Sequence, residues 1–355
     1  MKVVVFSERL GPPPDEGIKN FTLGLAEALR ALGHDVAVLT AHGRDWPERG
    51  VVNIAAGRLL RSAALKERFR AFRPEATIYI PTASLTWGSA VRGRRLKRYA
   101  DGKPVALAAL QGRRHHALSR PLARMAAPDL CLTFSRATER QAGELGWRSE
   151  RIVPMVDSRL FAPITAPEKA ALRKRLGIPA EAFVVLHVGH LTASRGTADL
   201  AAITDISYPL FVVSRADVQI EAAMNGLRNS GVHVVPGYVK DIQEYYQLAD
   251  AYLFPATPSQ TAPGSIDFPL SVLEALSCNL PVVATRFGAL PETWPARPGV
   301  SYYQTLEELR DALGRLRHWQ GETRGLVEGF SGTKTAQKIL DVLFLQEAAR
   351  DGQRA

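Results

Sequence analysis

Cysteine and long apolar runs are scarce in this 355-residue sequence. Its two cysteines, Cys131 and Cys278, lie among apolar residues, which excludes a disulfide framework and indicates a reducing compartment. No apolar stretch approaches the ~18 residues needed to span a bilayer, and the N-terminus MKVVVFSERLG does not have the pattern of a secretory leader. The sequence therefore predicts an unexported, cytoplasmic protein without a transmembrane helix.

Several signatures of cofactor and metal chemistry are also missing. The first apolar run is followed by SERLGPPPDEGIKN, which has no Gly-x-Gly-x-x-Gly fingerprint and so counts against a nicotinamide dehydrogenase. No Asp-x-Asp pair occurs for a divalent metal, and no cysteine–histidine cluster occurs for zinc. We therefore expect chemistry that needs no cofactor and no metal.

Positive charge is concentrated in one segment of the chain. Between Arg58 and Arg124, sixteen Lys and Arg face three acidic residues, so this segment carries +13 while the whole chain carries +10. Such a segment favours an anionic partner, either acidic lipid headgroups, a phosphate-bearing acceptor or nucleic acid, with a solvated basic face as the alternative. Its stretch RGRRLKRYADG lacks the aromatic interleaving of nucleic-acid-binding modules, so we expect no nucleic acid. Apolar residues between the basic ones instead favour an anionic membrane surface: Leu59, Leu60, Leu65, Phe69 and Phe72.

Apolar runs alternate with helical periodicity along the whole chain. The runs KVVVF, HDVAVLT, ATIYIP, PVALAAL and DLCLTF predict buried strands, and the pattern begins again near Phe183 with FVVLHVG, PLFVVS, VHVVPG, AYLFPA and PVVAT. This alternation predicts two consecutive α/β units with parallel sheets. We place the domains at residues 1–160 and 161–330, and an amphipathic helix at 331–355.

One carboxylate does not fit a purely structural role. Pro269 should open a helix that precedes a buried strand from Val282 to Thr285. Glu274 lies in the middle of that helix among leucines, where an ionised carboxylate is costly to bury unless something binds it. The alternative is a glutamate at the helix edge, exposed to water.

Five stretches together resemble the retaining glycosyltransferase family 4. They are EGIKNFTLGLAEALRALGHDVAVLT, RIVPMVDSRLFAP, VGHLTASRG, GYVKDIQEYYQLADAYLFPA and FPLSVLEALSCNLPVVATRFGALPE. The resemblance covers nearly the whole chain and implies the GT-B architecture: two facing Rossmann-like domains with parallel sheets, and a C-terminal helix that crosses back to the N-terminal domain. It also implies that a nucleotide-sugar donor binds in the cleft between the domains.

The resemblance implies a donor site built on one helix and several loops. Glu274 matches the glutamate that accepts both ribose hydroxyls, and Arg195 matches the cation that neutralises the departing diphosphate. Unpaired N–H groups at the start of the helix favour phosphate. The further implied donor contacts are Leu270 and Ser271 at the helix start, Gly17 before the first long helix, and Tyr238 and Val239 in the GYV turn.

The sequence departs from the family pattern at three places. Ile266 stands where the family has its first Glu, so the neighbouring Asp267 either replaces it as a catalytic residue beside Arg195 and Glu274 or caps the helix. His190 stands where the family usually has Arg and carries less charge near neutral pH. Gln111 replaces a histidine that contacts the sugar. Other candidate acceptor or sugar contacts are His115, His116 and Lys19.

These observations predict a metal-independent retaining glycosyltransferase. It would move a sugar from a UDP- or GDP-sugar to an acceptor hydroxyl by front-face substitution, in the synthesis of a cell-surface glycan or glycolipid. The basic N-terminal domain predicts a lipid-linked or anionic acceptor and peripheral association with the inner face of the membrane. The alternative is a non-catalytic GT-B subunit that binds a sugar nucleotide or a partner, which Ile266 and Gln111 favour; a sugar-nucleotide epimerase is a weaker alternative.

Overall fold

The computed structural model describes residues 1–111, 120–192, 195–214, 221–256 and 266–351, the last six as backbone only. The chain divides into two compact units. Unit 1 comprises Met1–Met155, Gly264–Phe268 and Gly332–Ala355, and unit 2 comprises Val156–Pro263 and Pro269–Ser331. The chain thus leaves unit 1, returns briefly before residue 269, and returns again at its C-terminal end.

Unit 1 contains a seven-stranded parallel sheet in the order β3-β2-β1-β4-β5-β6-β7. Its strand order reverses between β1 and β4, and in open sheets ligands bind beyond the carboxyl ends of the strands at such a point. The strands are β1 (Lys2–Ser7), β2 (Asp35–Thr40), β3 (Val51–Asn53), β4 (Ala76–Ile80), β5 (Val105–Ala109), β6 (Leu130–Thr133) and β7 (Ser149–Arg151). The helices between them are α1 (Gly17–Ala31), α2 (Ala63–Phe72), α3 (Trp87–Tyr99), α4 (Arg120–Met125) and α5 (Arg136–Glu144).

Helix α2, in the basic segment of unit 1, is an ordinary amphipathic helix. Leu65 and Phe69 of α2 are buried in the core of unit 1, and Leu60 before the helix is fully buried as well. The basic residues Arg68 and Arg70 of the same helix are exposed. Three of the five apolar residues expected to face a membrane are therefore packed in the core instead, whereas Leu59 and Phe72 are partly buried.

Unit 2 contains a six-stranded parallel sheet in the order β10-β9-β8-β11-β12-β13, with its reversal between β8 and β11. The strands are β8 (Val184–Gly189), β9 (Tyr208–Val213), β10 (His233–Val235), β11 (Ala251–Phe254), β12 (Val282–Ala284) and β13 (Val300–Tyr302). The helices are α6 (Ala166–Arg175), α7 (Ala198–Ala201), α8 (Glu221–Asn229), α9 (Gln243–Leu248), α10 (Leu270–Ser277), α11 (Leu290–Thr293) and α12 (Leu306–Leu316). After unit 2 the chain forms α13 (Gly332–Asp351), which packs on α1 within unit 1.

A partly buried ionic cluster fixes α6 to the sheet of unit 2. The carboxylate of Asp250 accepts hydrogen bonds from Arg173 at 2.6 Å, from Lys169 at 2.8 Å and from the Val184 N–H at 2.7 Å. Arg173 is only 6% exposed, and its remaining N–H groups donate to backbone carbonyls, among them that of Leu248 at 3.0 Å. The cluster joins α6 to the beginnings of β8 and β11. Removing one of these side chains would leave a buried polar or charged group without its partner, which is costly.

Two further findings concern the cysteines and the apolar helices of the described part of the chain. Cys131 and Cys278 are both buried and form no disulfide. No helix among the described residues is both long enough and apolar enough to cross a bilayer.

Candidate functional site

A polar cluster lies where the strand order of unit 2 reverses, at the carboxyl ends of β8 and β11. Glu274 of α10 lies in it, and the Tyr246 hydroxyl of α9 donates a 2.6 Å hydrogen bond to its Oε2. Among the described residues, Tyr246 is the only hydrogen-bond partner of the Glu274 side chain. Burial raises the pKa of Glu274 to about 7, and the bond from Tyr246 opposes this rise. The carboxylate is thus partly buried, incompletely paired and balanced between its two protonation states near neutral pH.

Arg195 is held beside the end of β11 by the glycine that follows it. Gly196 has φ +62°, and a Cβ on it would lie 1.9 Å from the carbonyl oxygen of Pro255, so only glycine fits there. The Arg195 side chain is partly buried, and its guanidinium forms no hydrogen bond or ion pair with any described residue. Burial lowers the pKa of Arg195, although a guanidinium stays protonated. A desolvated cation that has no partner among the described residues favours an anionic ligand.

Two buried polar side chains beside Arg195 were missed by the sequence analysis. The Tyr252 hydroxyl donates to the carbonyl of Val188 at 3.3 Å. His187 is fully buried, with Nδ1 3.0 Å from the Leu253 carbonyl, so Nδ1 carries the proton and Nε2 has no partner among the described residues. Burial lowers the pKa of His187 to about 3, and the charge of Arg195 lowers it further. His187 is therefore neutral, and it adds no positive charge next to Arg195.

The helix start and the two neighbouring loops carry the other predicted donor contacts. α10 begins at Leu270, so Pro269 is its N-cap rather than its first residue, and no side-chain cap bonds the first N–H groups from that position. Leu270 and Ser271 therefore form the open first turn predicted for a phosphate. His190 directly follows β8, with Nδ1 3.2 Å from the Ser214 hydroxyl. Tyr238 and Val239 lie in the loop after β10, where the Tyr238 side chain is 44% exposed.

The remaining predicted contacts lie in unit 1 or outside the described residues. Gly17 is the first residue of α1, and Lys19 in the same turn donates to Asp15 at 2.6 Å and to the Pro13 carbonyl at 3.0 Å. Gln111 follows β5, is 3% exposed and donates from Nε2 to the Thr82 carbonyl at 2.8 Å. No described residue donates to its Oε1. His115 and His116 lie outside the described residues.

Asp267 lies in unit 1 rather than with the helix that follows it in sequence. Its N–H donates to the Leu110 carbonyl at 2.8 Å, and its carboxylate accepts hydrogen bonds from the hydroxyls of Ser135, at 2.6 Å, and Thr138. Asp267 is 6% exposed. The expectation that it caps α10 is wrong because Pro269 occupies the N-cap, and the described hydrogen bonds of its carboxylate lead to the start of α5.

A second buried carboxylate, Glu8, was also missed by the sequence analysis. It directly follows β1 and accepts hydrogen bonds from the hydroxyl of Tyr79, from Arg92 at 3.0 Å and from the hydroxyl of Thr82 at 2.7 Å. The cluster ties the carboxyl ends of β1 and β4 together at the point where the sheet order of unit 1 reverses. The available signal was an acidic residue immediately after the apolar run VVVFS.

Among the residues that the structure describes, no group of three or more His, Cys, Asp or Glu side chains is arranged to hold a metal ion. In the unit 2 cluster, Arg195 contributes a guanidinium, and Glu274 contributes a carboxyl group that is partly ionised near neutral pH. The guanidinium can bind an anionic group of a ligand, and the carboxylate can accept hydrogen bonds from hydroxyl groups.

Comparison with known proteins finds a family model that is similar to part of unit 2. Residues 183–318 match the family model described as Glycosyl transferases group 1. The chain is 29% identical over 157 residues to a GDP-mannose-dependent monoacylated alpha-(1-6)-phosphatidylinositol monomannoside mannosyltransferase of Corynebacterium glutamicum, covering 41% of this chain and 40% of that protein. It is 30% identical over 169 residues to a D-inositol 3-phosphate glycosyltransferase of Geodermatophilus obscurus, covering 42% and 35%.

The solved structure of Anabaena HepE in complex with UDP is similar to this chain throughout. The two share a TM-score of 0.77 at 17% identity, over 97% of this chain and 99% of HepE. The predicted α/β fold of GT-B type, with two Rossmann-like domains and parallel sheets, is confirmed. The sequence alignments, in contrast, span less than half the length of the two curated relatives.

Proposed function

We propose that this protein is a glycosyltransferase that moves a sugar from a nucleotide-sugar donor to an acceptor hydroxyl. The observation that carries the proposal is a partly buried Arg195 guanidinium with no partner among the described residues, in the same unit as the partly buried Glu274 and within the residues that match the Glycosyl transferases group 1 model. The similarity to HepE, whose structure contains UDP, supports a UDP-sugar, and the similarity to a GDP-mannose-dependent enzyme supports a GDP-sugar.

In this proposal, the donor is bound by complementary charges and hydrogen bonds. Arg195 and the first-turn N–H groups at Leu270 and Ser271 bind the diphosphate, and His190 adds a hydrogen-bonding side chain. Glu274 accepts hydrogen bonds from the ribose hydroxyls. The loop at Tyr238 and Val239 contacts the base through its backbone. Gly17 lets the N-terminal end of α1 approach the phosphates.

The proposed reaction is metal-independent and retains the configuration of the anomeric carbon. The bond from the anomeric carbon to the diphosphate oxygen breaks, and a bond to the acceptor oxygen forms on the same face. The acceptor proton passes to the departing phosphate, so no protein base is required. Arg195 stabilises the charge that develops on the leaving group, which is the role a metal ion has in other transferases. Asp267, Gln111, Lys19, His115 and His116 are the candidates for acceptor or sugar contact.

The acceptor we propose carries a phosphate or a lipid. The two curated relatives are a phosphatidylinositol monomannoside mannosyltransferase and an inositol 3-phosphate glycosyltransferase. The exposed basic residues of unit 1 favour an anionic acceptor or the surface that holds it. We propose peripheral association with the inner face of a membrane on this basis.

Thermal unfolding in the presence of nucleotides tests the donor site. The wild type, Arg195→Ala and Glu274→Ala are compared with UDP, GDP and ADP and their sugars, and Arg228→Ala is the control because Arg228 is an exposed arginine of α8 in the same unit. A ligand at about 100 times its dissociation constant adds about 2.7 kcal/mol. We expect one nucleotide to stabilise the wild type and the control and to lose most of this effect in both site variants. Equal stabilisation of all four proteins would contradict the site assignment.

Measuring turnover of the donor distinguishes a transferase from the alternative, a non-catalytic subunit that binds a sugar nucleotide. Gln111 and Ile266, where the resembling family has other residues, favour this alternative. A transferase should release nucleoside diphosphate from the donor that stabilises it, slowly to water and faster with a phosphoinositol acceptor. A protein that binds the donor and releases none under either condition is a binding subunit.

A further inference from the structure

Tyr246 lies under the proposed donor site, where none of the roles assigned above uses it. The side chain is fully buried in α9. Its ring meets Phe161 edge to face, with centroids 5.5 Å apart at 85°, and stacks on Tyr252 at 5.6 Å and 26°. The ring is therefore fixed by packing on two sides, and its hydroxyl has one defined direction.

That direction leads to the carboxylate of Glu274. A phenol can donate only one hydrogen bond, and Tyr246 donates it to Oε2 at 2.6 Å. The bond fixes the rotation of the carboxyl group and leaves Oε1 without a donor among the described residues. A donor hydrogen bond also stabilises the ionised form relative to the protonated form, and the ionised form is the better acceptor for hydroxyl groups.

We propose that Tyr246 is the positioning residue for ribose recognition: its hydroxyl orients the carboxylate of Glu274 so that this carboxylate accepts the ribose hydroxyls of the nucleotide. This inference rests on the proposed function of the site. It assigns Tyr246 an effect through Glu274 and no contact with the nucleotide. Its consequence is a nucleotide affinity that depends on pH through Glu274, with Tyr246 setting the midpoint.

The other titratable groups around Glu274 do not take over this role among the described residues. From β11, Tyr252 uses its hydroxyl on the Val188 carbonyl. From α10 itself, burial raises the pKa of Cys278 to about 12, so its thiol stays neutral. From the 3₁₀ turn Arg324–Val327, Arg324 donates to the carbonyls of Ser277, Phe161 and Ser158 and to no carboxylate. β12 brings only Val and Ala.

The sign of the effect follows from the direction of the bond. Burial holds the pKa of Glu274 near 7, and the bond from Tyr246 lowers it. Removing the hydroxyl raises that pKa, so less of the carboxylate is ionised at neutral pH. For a rise of about one pH unit, the ionised fraction at pH 7.5 falls about threefold, while at pH 9 it hardly changes. The nucleotide affinity should therefore fall about threefold at pH 7.5 and hardly change at pH 9.

The experiment compares Tyr246→Phe with Tyr245→Phe in the full chain. Tyr245 is the adjacent tyrosine of α9, partly buried and without a hydrogen bond to Glu274. Dissociation constants of UDP and GDP, and of their 2′-deoxy analogues, are measured by calorimetry from pH 6 to 9. We expect Tyr246→Phe to weaken nucleotide binding about threefold at pH 7.5, to reduce the preference for ribose over deoxyribose, and to recover both at pH 9. Tyr245→Phe should match the wild type.

A titration without ligand separates the possible failures. Glutamate-labelled protein is followed by carboxyl ¹³C NMR, and Glu274→Gln identifies the resonance. An unchanged Glu274 midpoint in Tyr246→Phe, or weakening that persists at pH 9, overturns the role of Tyr246 while the proposed function stands. A wild type that binds no nucleotide at any pH overturns the proposed function and the ribose role together, even when the midpoint shifts.

Discussion

Glu274 and Arg195 are each held in a state that is unfavourable for the folded chain without a ligand. Glu274 is a partly buried carboxylate with one neutral donor, and Arg195 is a partly buried cation with no partner among the described residues. Natural sequences seldom keep such groups in a packed interior unless another molecule completes them. A ligand with hydroxyl donors and an anionic group would satisfy both side chains at once.

Replacing Glu274 by glutamine should therefore stabilise the protein without ligand. The pKa of Glu274 is about 7 in the folded state and near the ordinary glutamate value when unfolded, so the folded state binds the extra proton. Stability is then greatest below about pH 4.5 and falls as the pH rises to about 7. We expect Glu274→Gln to raise the free energy of unfolding at pH 8 by about 1–3 kcal/mol, and the gain to vanish near pH 5.

Urea unfolding of the wild type and the variant at both pH values measures this difference. Glu328→Gln is the control because Glu328 is exposed in the same unit, and it should change little at either pH. A Glu274→Gln protein that is less stable than the wild type at pH 8 would mean that the ionised carboxylate is fully stabilised without a ligand.

The residues of this site were only partly predictable from the sequence. Glu274 stood out because a charge interrupted a leucine-rich helix, and Arg195 because its surroundings matched a family motif. Tyr246 and His187 gave no such signal, since aromatic residues and a single histidine in apolar runs are ordinary core residues. Their roles depend on the direction of a hydroxyl group or a ring nitrogen. Local periodicity in the sequence does not predict which distant element such a group contacts.

At the scale of elements, the alternation of strands and helices was predicted and the excursion of the chain into unit 1 was not. Strand β12 and helix α10 follow the apolar run and the proline that predicted them. Residues 266–268 were assigned to the second domain, whereas the structure groups them with unit 1. The hydrogen bond that holds them joins Asp267 to Ser135, which are 132 residues apart in sequence. No local sequence pattern predicts such a contact.

Ser135 should consequently contribute more to the free energy of unfolding than an ordinary helix cap does. Its hydroxyl oxygen accepts from the Thr138 N–H at 3.1 Å as the N-cap of α5, and it also donates to buried Asp267 at 2.6 Å. Ser62 caps α2 in the same way, accepting from the Leu65 N–H at 3.2 Å. We expect Ser62→Ala to cost about 1 kcal/mol, as caps do, and Ser135→Ala to cost about 2–4 kcal/mol.

Urea unfolding of the two variants under the same conditions makes the comparison, because both remove one hydroxyl from an N-cap of unit 1. The difference between them reports the bond to the Asp267 carboxylate. Equal losses would mean that Asp267 is satisfied by its other partners and that Ser135 serves as a cap alone.

At the scale of the whole molecule, the basic segment presents charged residues to solvent, while most of the apolar residues between them are buried. The side chains of Leu60, Leu65 and Phe69 are in the core, and α2 exposes its charged residues together with small alanines. Among the described residues of this region, the large apolar side chains that are exposed lie on α3 and α4: Trp87 is 38%, Leu122 53% and Met125 73% exposed. An association with an anionic surface should thus depend mainly on charge and fall with salt.

Vesicle flotation tests this dependence with two matched triple variants. One removes exposed charges from α2 of unit 1, and the other removes the same number of exposed charges from unit 2: Lys66→Gln, Arg68→Gln and Arg70→Gln, against Lys174→Gln, Arg228→Gln and Arg315→Gln. At about 1 kcal/mol for each basic residue near the surface, the first variant should bind phosphatidylglycerol vesicles about a hundredfold more weakly than the wild type, and the second should change far less. The wild type should bind phosphatidylcholine vesicles weakly and release acidic vesicles as salt rises. Equal partitioning of the wild type onto both lipids would exclude the charge-driven membrane association and leave the basic surface to a soluble anionic acceptor.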